Sequence, residues 1–247
     1  AIRKSDSDGS STSDISGTVG DNITWKLAVD GTLTITGTGE MESAPWENYN
    51  KSVKKIVISE GITTIADNAF DGCENAEGTL ELPTTLEKIG NFAFQNCSKL
   101  SGNLVLPENV EKIGDFAFQN CSKLSGNLVL PQNVEVIGVY AFYRCTGLTG
   151  KLIIPSKVTS IGRFAFDNCT GFEGDLVIPE GVKGIGDYAF NYCTGITGTV
   201  TIPSSVTDMF HIIHGCTNVR KVINNSNLPV TLPTDYYDLD TWIDNSN

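Results

Sequence analysis

Seven cysteines stand at Cys73, Cys97, Cys121, Cys145, Cys169, Cys193 and Cys216, spaced 24 residues apart five times and then 23. No other feature of the chain restricts its fold so strongly. Around each cysteine the same frame returns, as in Leu104-Val105-Leu106-Pro107, Val110, Ile113-Gly114, Phe116-Ala117-Phe118, Cys121 and Leu124. Ile89, Ile113, Ile137, Ile161 and Ile185 keep the period. So do Phe94, Phe118, Phe142, Phe166 and Phe190, and Pro83, Pro107, Pro131, Pro155, Pro179 and Pro203. One such segment cannot bury its own apolar side chains. Stacked copies can, because each residue type meets its copy on the next turn and the copies build a continuous core. The chain is therefore expected to be a repeat solenoid of about seven 24-residue turns, mostly β with short helical turns.

The frame also predicts the parts of one turn. Leu-x-Leu alternates with period two, so it reads as a short strand with Leu104 and Leu106 pointing inward. Pro107 then ends the strand, since it has no N–H for the ladder. Val-x-x-Ile-Gly reads as a second extended piece and a turn. Phe-Ala-Phe-x-x-Cys-x-x-Leu places large residues on one side of a single helical turn. With parallel strands about 4.8 Å apart, seven turns make a rod on the order of 30–35 Å long.

The ends must differ from the middle, because bare end turns would expose core and strand edges. Ile23, Trp25, Leu27 and Val29 alternate up to Asp30-Gly31, and Leu33 and Ile35 alternate away, which predicts a hairpin with a type I′ turn. That hairpin, with Trp46 and a strand from Lys55 to Ser59, is expected to seal the first repeat. At the back the frame decays through Met209 to Gly215, and the tail is expected to cover the end through Tyr236, Tyr237 and Trp242. The organisation read from the sequence is a polar linker over 1–16, a β-hairpin cap over 17–53, the solenoid over 54–223 and an irregular C-terminal cap and tail over 224–247. The linker reads as what remains of a removed export segment or of trimming.

The repeat, written out as Leu-x-Leu-Pro-x-x-Val-x-x-Ile-Gly-x-x-Ala-Phe-x-x-Cys, resembles the BspA-type leucine-rich repeat of bacterial surface proteins. The segments Gly17 to Trp25 and Asp30 to Gly39 resemble the cap that often precedes it. Together they cover roughly Gly17 to Ile223. The resemblance implies a leucine-rich-repeat solenoid on an exported protein, cell-surface or extracellular, of oral or gut bacteria. Because some members are adhesins for host matrix proteins, it implies a binding role, with a host matrix protein or a glycan as partner. The extra Gly102-Asn103, Gly126-Asn127 and Gly150-Lys151 before the strands depart from the family pattern and lengthen each turn.

Chemistry elsewhere in the sequence is sparse. Lys and Arg total 17 against 29 Asp and Glu, a formal net charge of −12, which opposes a nucleic-acid or anionic-membrane partner. No run of 18 apolar residues offers a bilayer span. One cysteine per turn, in an odd number, stacks each thiol over an identical one pointing the same way, whereas a disulfide needs converging Cβ vectors. Buried free thiols are therefore expected. His211 and His214 lack acidic or Cys partners at metal-site spacing and read as end cap, and Asp6-Ser7-Asp8-Gly9 lacks the further ligands of a calcium loop. No nucleophile elbow or phosphate loop occurs. A non-catalytic monomer without a cofactor is expected, either an adhesin-like binding protein or a passive spacer of a larger surface assembly.

Two surfaces are candidate binding sites. If Leu104 and Leu106 face in, Val105 faces out, and Val105, Val129, Ile153 and Val177 form an apolar stripe, although β-branched residues also simply suit strands. The turn before each cysteine carries Tyr143-Arg144 and Asn191-Tyr192 in place of Gln-Asn or Asp-Asn, and Tyr and Arg are frequent hot-spot residues. Finally, Phe92–Pro107 and Phe116–Pro131 are identical over 16 residues, exposed positions included. Such recent duplication fits a surface that works by repetition.

Overall fold

A computed structural model of the chain describes residues 13–230 and 243–244. Each coil of the solenoid contributes to two parallel sheets and one stack of turns. The longest sheet has eight strands, in the order Asp208–Met209, Gly184–Ile185, Ser160–Ile161, Val136–Ile137, Lys112–Ile113, Lys88–Ile89, Ile62–Ile65 and Gly39–Glu40. Eight coils therefore stack, the cap itself supplying the first strand. From Ile62–Ile65 onward each strand is in register with its copy, as in Lys112↔Val136 and Ile113↔Ile137, whereas the cap strand slips, pairing Gly39 with Ile62 and Glu40 with Thr64.

The second side of the rod carries longer strands. Leu100–Val105, Leu124–Val129 and Leu148–Ile153 pair in parallel, flanked by Gly78–Thr79 and Gly171–Phe172. These strands start four residues before the expected Leu-x-Leu step, and the pairing shifts register between Ser125 and Val129. The extra Gly-Asn that lengthens each turn thus enters the strand as a bulge. Beyond Glu173 the sheet is replaced by a separate one of Leu176–Val177, Thr199–Ile202, Lys221–Asn224 and Ile243–Asp244.

The third side is not helical. Instead of a helical turn, each Phe-Ala-Phe-x-x-Cys segment makes overlapping turns, with Gln119 N bonded to Phe116 O and Cys121 N to Phe118 O. Between these, Phe116, Phe118 and Asn120 donate to the carbonyls of Val139, Ala141 and Tyr143 on the following coil, at 2.7–2.8 Å. A helix would keep those donors inside one coil. Directing them along the rod requires left-handed backbone at Phe116 (φ 58°) and Asn120 (φ 61°), repeated in most coils. Among the described residues the only helical element is a 3-10 turn over Glu47–Ser52.

Inside, Phe70, Phe94, Phe118, Phe142, Phe166 and Phe190 stack with centroids 5.0–5.4 Å apart. All six are fully buried. Trp46 is their first rung, 6.0 Å from Phe70, with its Nε1 donating to Ala69 O. The Ile-Gly corner brings backbones together: a Cβ on Gly138 would sit 2.4 Å from the Gly114 carbonyl. Only glycine permits that approach.

The front cap is the four-stranded sheet Ile15–Val19, Ile23–Leu27, Thr32–Gly37 and Lys55–Ile58. Its hairpin is not the expected type I′ turn. Gly31 N bonds to Ala28 O and Ala28 N to Thr32 O, and only Gly31 has positive φ (88°). This is a three-residue loop, a type I turn closed by a glycine bulge. Asp30 keeps ordinary φ and caps the loop with its carboxylate on Thr32 N. The cap sheet runs from Ile15 to Ile58, across both boundaries read for the cap. At the back, Ile243–Asp244 pairs in parallel with Lys221–Asn224. Tyr236, Tyr237 and Trp242 lie outside the described residues, as do Asp6 to Gly9.

Candidate binding surfaces

On the strand side the alternation places each residue as the period predicts. Leu104 and Leu106 are buried, whereas Val105 is 68% exposed, Val129 57%, Ile153 62% and Val177 51%. Val105, Val129 and Ile153 are directly paired across adjacent strands. Val177 continues the row from the next sheet. Asn103, Asn127, Lys151 and Asp175, all exposed, run alongside. An apolar ridge four coils long thus stands beside a polar row.

The turn side holds a feature that sequence reasoning left inside the protein. Phe92, Phe116, Tyr140, Phe164, Tyr188 and His211, the residues forced into left-handed backbone, form a second aromatic stack that is only half-buried. Its centroids are 4.6–5.4 Å apart and its planes nearly parallel. The signal was there in the first Phe of each Phe-Ala-Phe. What the sequence could not show is that Ala and the second Phe alone face the core.

Beside this stack run two polar rows. In the early coils they satisfy one another: Gln95 bonds Gln119, and Asn120 Nδ2 donates to Asn96 Oδ1 at 2.8 Å. In the later coils the same rows carry Tyr143, Asp167, Asn191 and His214, and Arg144, Asn168 and Tyr192. The structure therefore gathers Tyr143, Arg144 and Tyr192 on one face, apart from the valine ridge in sequence position. Tyr143 meets Tyr140 edge-on at 5.2 Å, and the Arg144 guanidinium lies 5.1 Å over the Tyr143 ring. Arg163 covers Phe164 at 4.8 Å and faces Asp187 at 3.9 Å. Burial pushes the Asp167 carboxyl above its ordinary value, against the pull of Asn191, Asn168 and Arg144.

The seven thiols are free and buried. They are not merely apolar filler: Cys121 Sγ donates to Phe94 O at 3.0 Å and Cys145 Sγ to Phe118 O at 3.1 Å, each reaching back one coil. Burial pushes the Cys121 and Cys216 thiols up to about 12. His211 and His214 lie against Tyr188 with centroids 6.4 Å apart, part of the aromatic face at the last coil. Among the described residues no three His, Cys, Asp or Glu side chains come together to hold a metal ion, and no helix is long and apolar enough to cross a membrane.

Comparison with known proteins agrees with this architecture. A family model described as the BspA type leucine-rich repeat region matches in six copies over residues 47–173 and 148–232. Among solved structures, the chain is similar to a leucine-rich repeat protein from Eubacterium ventriosum, with 23% identity and a TM-score of 0.57, covering 88% of this chain and 73% of that one. It is also similar to a leucine-rich repeat protein of T. pallidum, with 26% identity and a TM-score of 0.52, covering 85% and 83%. Comparison with curated proteins gives no match.

Proposed function

The chain belongs to the BspA-type leucine-rich repeat family, and on that premise we propose that it is a non-catalytic binding protein of the bacterial cell surface or exterior. In this reading it is adhesin-like and recognises a host matrix protein or glycan through its repeat surface. The observation that carries the proposal is the exposed row Val105, Val129, Ile153 and Val177. Contiguous apolar surface is costly on a soluble rod and marks interaction sites, and solenoids bind through extended sheet faces. The repeat fold is typically non-enzymatic. Its thiols are buried, and burial pushes Cys121 and Cys216 up to about 12, which supports the non-catalytic reading.

The test is a screen of the purified protein against immobilised host matrix proteins and glycans, with a Val129→Lys/Ile153→Lys variant of unchanged circular dichroism beside it. Two lysines in the middle of a dry contact are expected to weaken binding by about tenfold or more. Binding that survives both substitutions rejects the strand face. No binding by either protein supports a passive spacer, with the valines present only because they suit strands.

A further inference from the structure

We propose that the turn side of the later coils holds a second binding site, one that takes a neutral saccharide unit of a glycan between Arg144 and Tyr192. This inference rests on residues and a face separate from the valine ridge, so either can fail alone.

The coils around the site are adjacent: Arg144 N bonds Asp167 O, Asn168 N bonds Asn191 O, and Tyr192 N bonds His214 O. Arg144 and Tyr192 are thus two coils apart, roughly 9–10 Å at parallel-strand spacing. The coil between them presents only the shorter Asp167 and Asn168. The proposed sugar position lies over Asp167 and Asn168, with Tyr192 on one side and, on the other, Arg144, whose guanidinium lies over the Tyr143 ring. Tyr192 is 46% exposed, and its ring lies so close to Gly215 that a Cβ there would come within 2.5 Å. The ring is therefore held in place by contact with the next coil.

The floor has the chemistry of hydroxyl recognition. Asp167 is 4% exposed, and its Oδ1 accepts from Asn168 Nδ2 at 2.6 Å and Asn191 Nδ2 at 3.1 Å. A carboxylate has about four acceptor sites, so capacity remains for sugar hydroxyls. Asn191 is 7% exposed, and its Oδ1 has no hydrogen-bond partner among the described residues. A buried amide oxygen without a donor is an exception in folded proteins, and a hydroxyl supplies the donor after a small side-chain shift. Arg144 adds donors from the side. A pyranose has both hydroxyl edges and an apolar C–H face, matching a few fixed polar groups beside an aromatic ring. Asp167 and Asp187 disfavour an acidic sugar.

The early coils are a built-in control. At the same rows Gln95, Gln119, Asn96 and Asn120 bond one another and offer no ring or guanidinium. Asp71 shares the row of Asp167, but its neighbours are Gly72, Gln95 and Asn96.

The experiment is saturation-transfer NMR and titration of the protein with glucose, galactose, mannose, N-acetylglucosamine and sialic acid. Arg144→Asn and Tyr192→Asn restore the residue carried by Asn96, Asn120 and Asn168, and Asp167→Gln restores that of Gln95 and Gln119, so the fold tolerates all three. At least one neutral sugar is expected to bind, and each of Arg144→Asn and Tyr192→Asn to weaken it about tenfold or more. Lys157→Ala, at an exposed residue on neither the valine ridge nor the turn rows, is expected to leave sugar binding unchanged. Binding of none of the neutral sugars, of sialic acid alone, or of sugar equally by all three reversion variants would overturn the proposal.

Discussion

The coils from Phe92 to Pro131 and those from Tyr140 to Gly215 have the same interior and different exteriors. Phe94 and Phe118 stack at 5.3 Å, and Phe142 and Phe166 at 5.4 Å. Outside, the early coils close their turn rows with amide pairs, while the later coils open them into tyrosine, arginine, aspartate and histidine. The core of a solenoid is shared with neighbours above and below, so a change in one coil is felt in three. An outward side chain has no such obligation. Divergence therefore collects where stacking does not constrain it, and the diversified half is where recognition is expected.

The strongest way to break the comparison is through the shared core. Phe118→Ala and Phe166→Ala should each cost about 3–5 kcal/mol in urea unfolding, because each leaves a cavity in the same stack. Unequal losses would show that the two halves are not energetically equivalent inside. Next comes the corner of each coil. Gly138→Ala drives a methyl to 2.4 Å from backbone and should cost about 1–3 kcal/mol. Gly184→Ala, whose added methyl would meet nothing within 4 Å beyond its chain neighbours, should be nearly neutral by the same measurement.

The turn rows give smaller effects of opposite sign. Arg144 and Tyr192 hold φ of 58° and 50°, where Asn is better tolerated. Arg144→Asn and Tyr192→Asn should therefore raise stability by up to about 1 kcal/mol while sugar binding falls. A stability loss on both would mean that these side chains serve the fold. Asp167 should give a pH-dependent signal. Its folded-state pKa is raised, so the protonated form is favoured. The resulting penalty is absent below the carboxyl's unfolded value near ~4 and grows as pH rises through the folded value. Asp167→Asn should thus match the parent in melting temperature at about pH 3 and exceed it at neutral pH. The thiols should give no signal at all. With Cys121 near 12 and buried in one half and Cys216 in the other, a disulfide reagent at mildly alkaline pH should modify none of the seven until the chain unfolds.

Much of this was legible from the residues alone. The cysteine spacing predicted the coil, Leu-x-Leu predicted Val105 outward, and the odd thiol ladder predicted free buried cysteines. The exposure of Val129 and Ile153 follows from the same alternation. The Phe-Ala-Phe turn was not legible, because apolar residues spaced for a helix also suit a stack of turns. Nor was the half-exposed ring row, since Phe92 and Phe94 are the same residue two positions apart and only backbone conformation separates their fates. The Asp30-Gly31 hairpin was recognised but its turn type was not, because Asp-Gly fits either a type I′ turn or a glycine bulge.

The sequence by itself determined what recurs: which residue types meet, roughly how many coils stack and which strand positions face water, since a fixed period carries those relations along the chain. Only the tertiary structure decided the backbone of the turns and the neighbours of Tyr143, Arg144, Asp167, Asn191 and Tyr192. The physical reason is that Phe116 and Asn120 donate their N–H groups to the following coil. A bond to a coil the segment does not contain cannot be read from the segment alone.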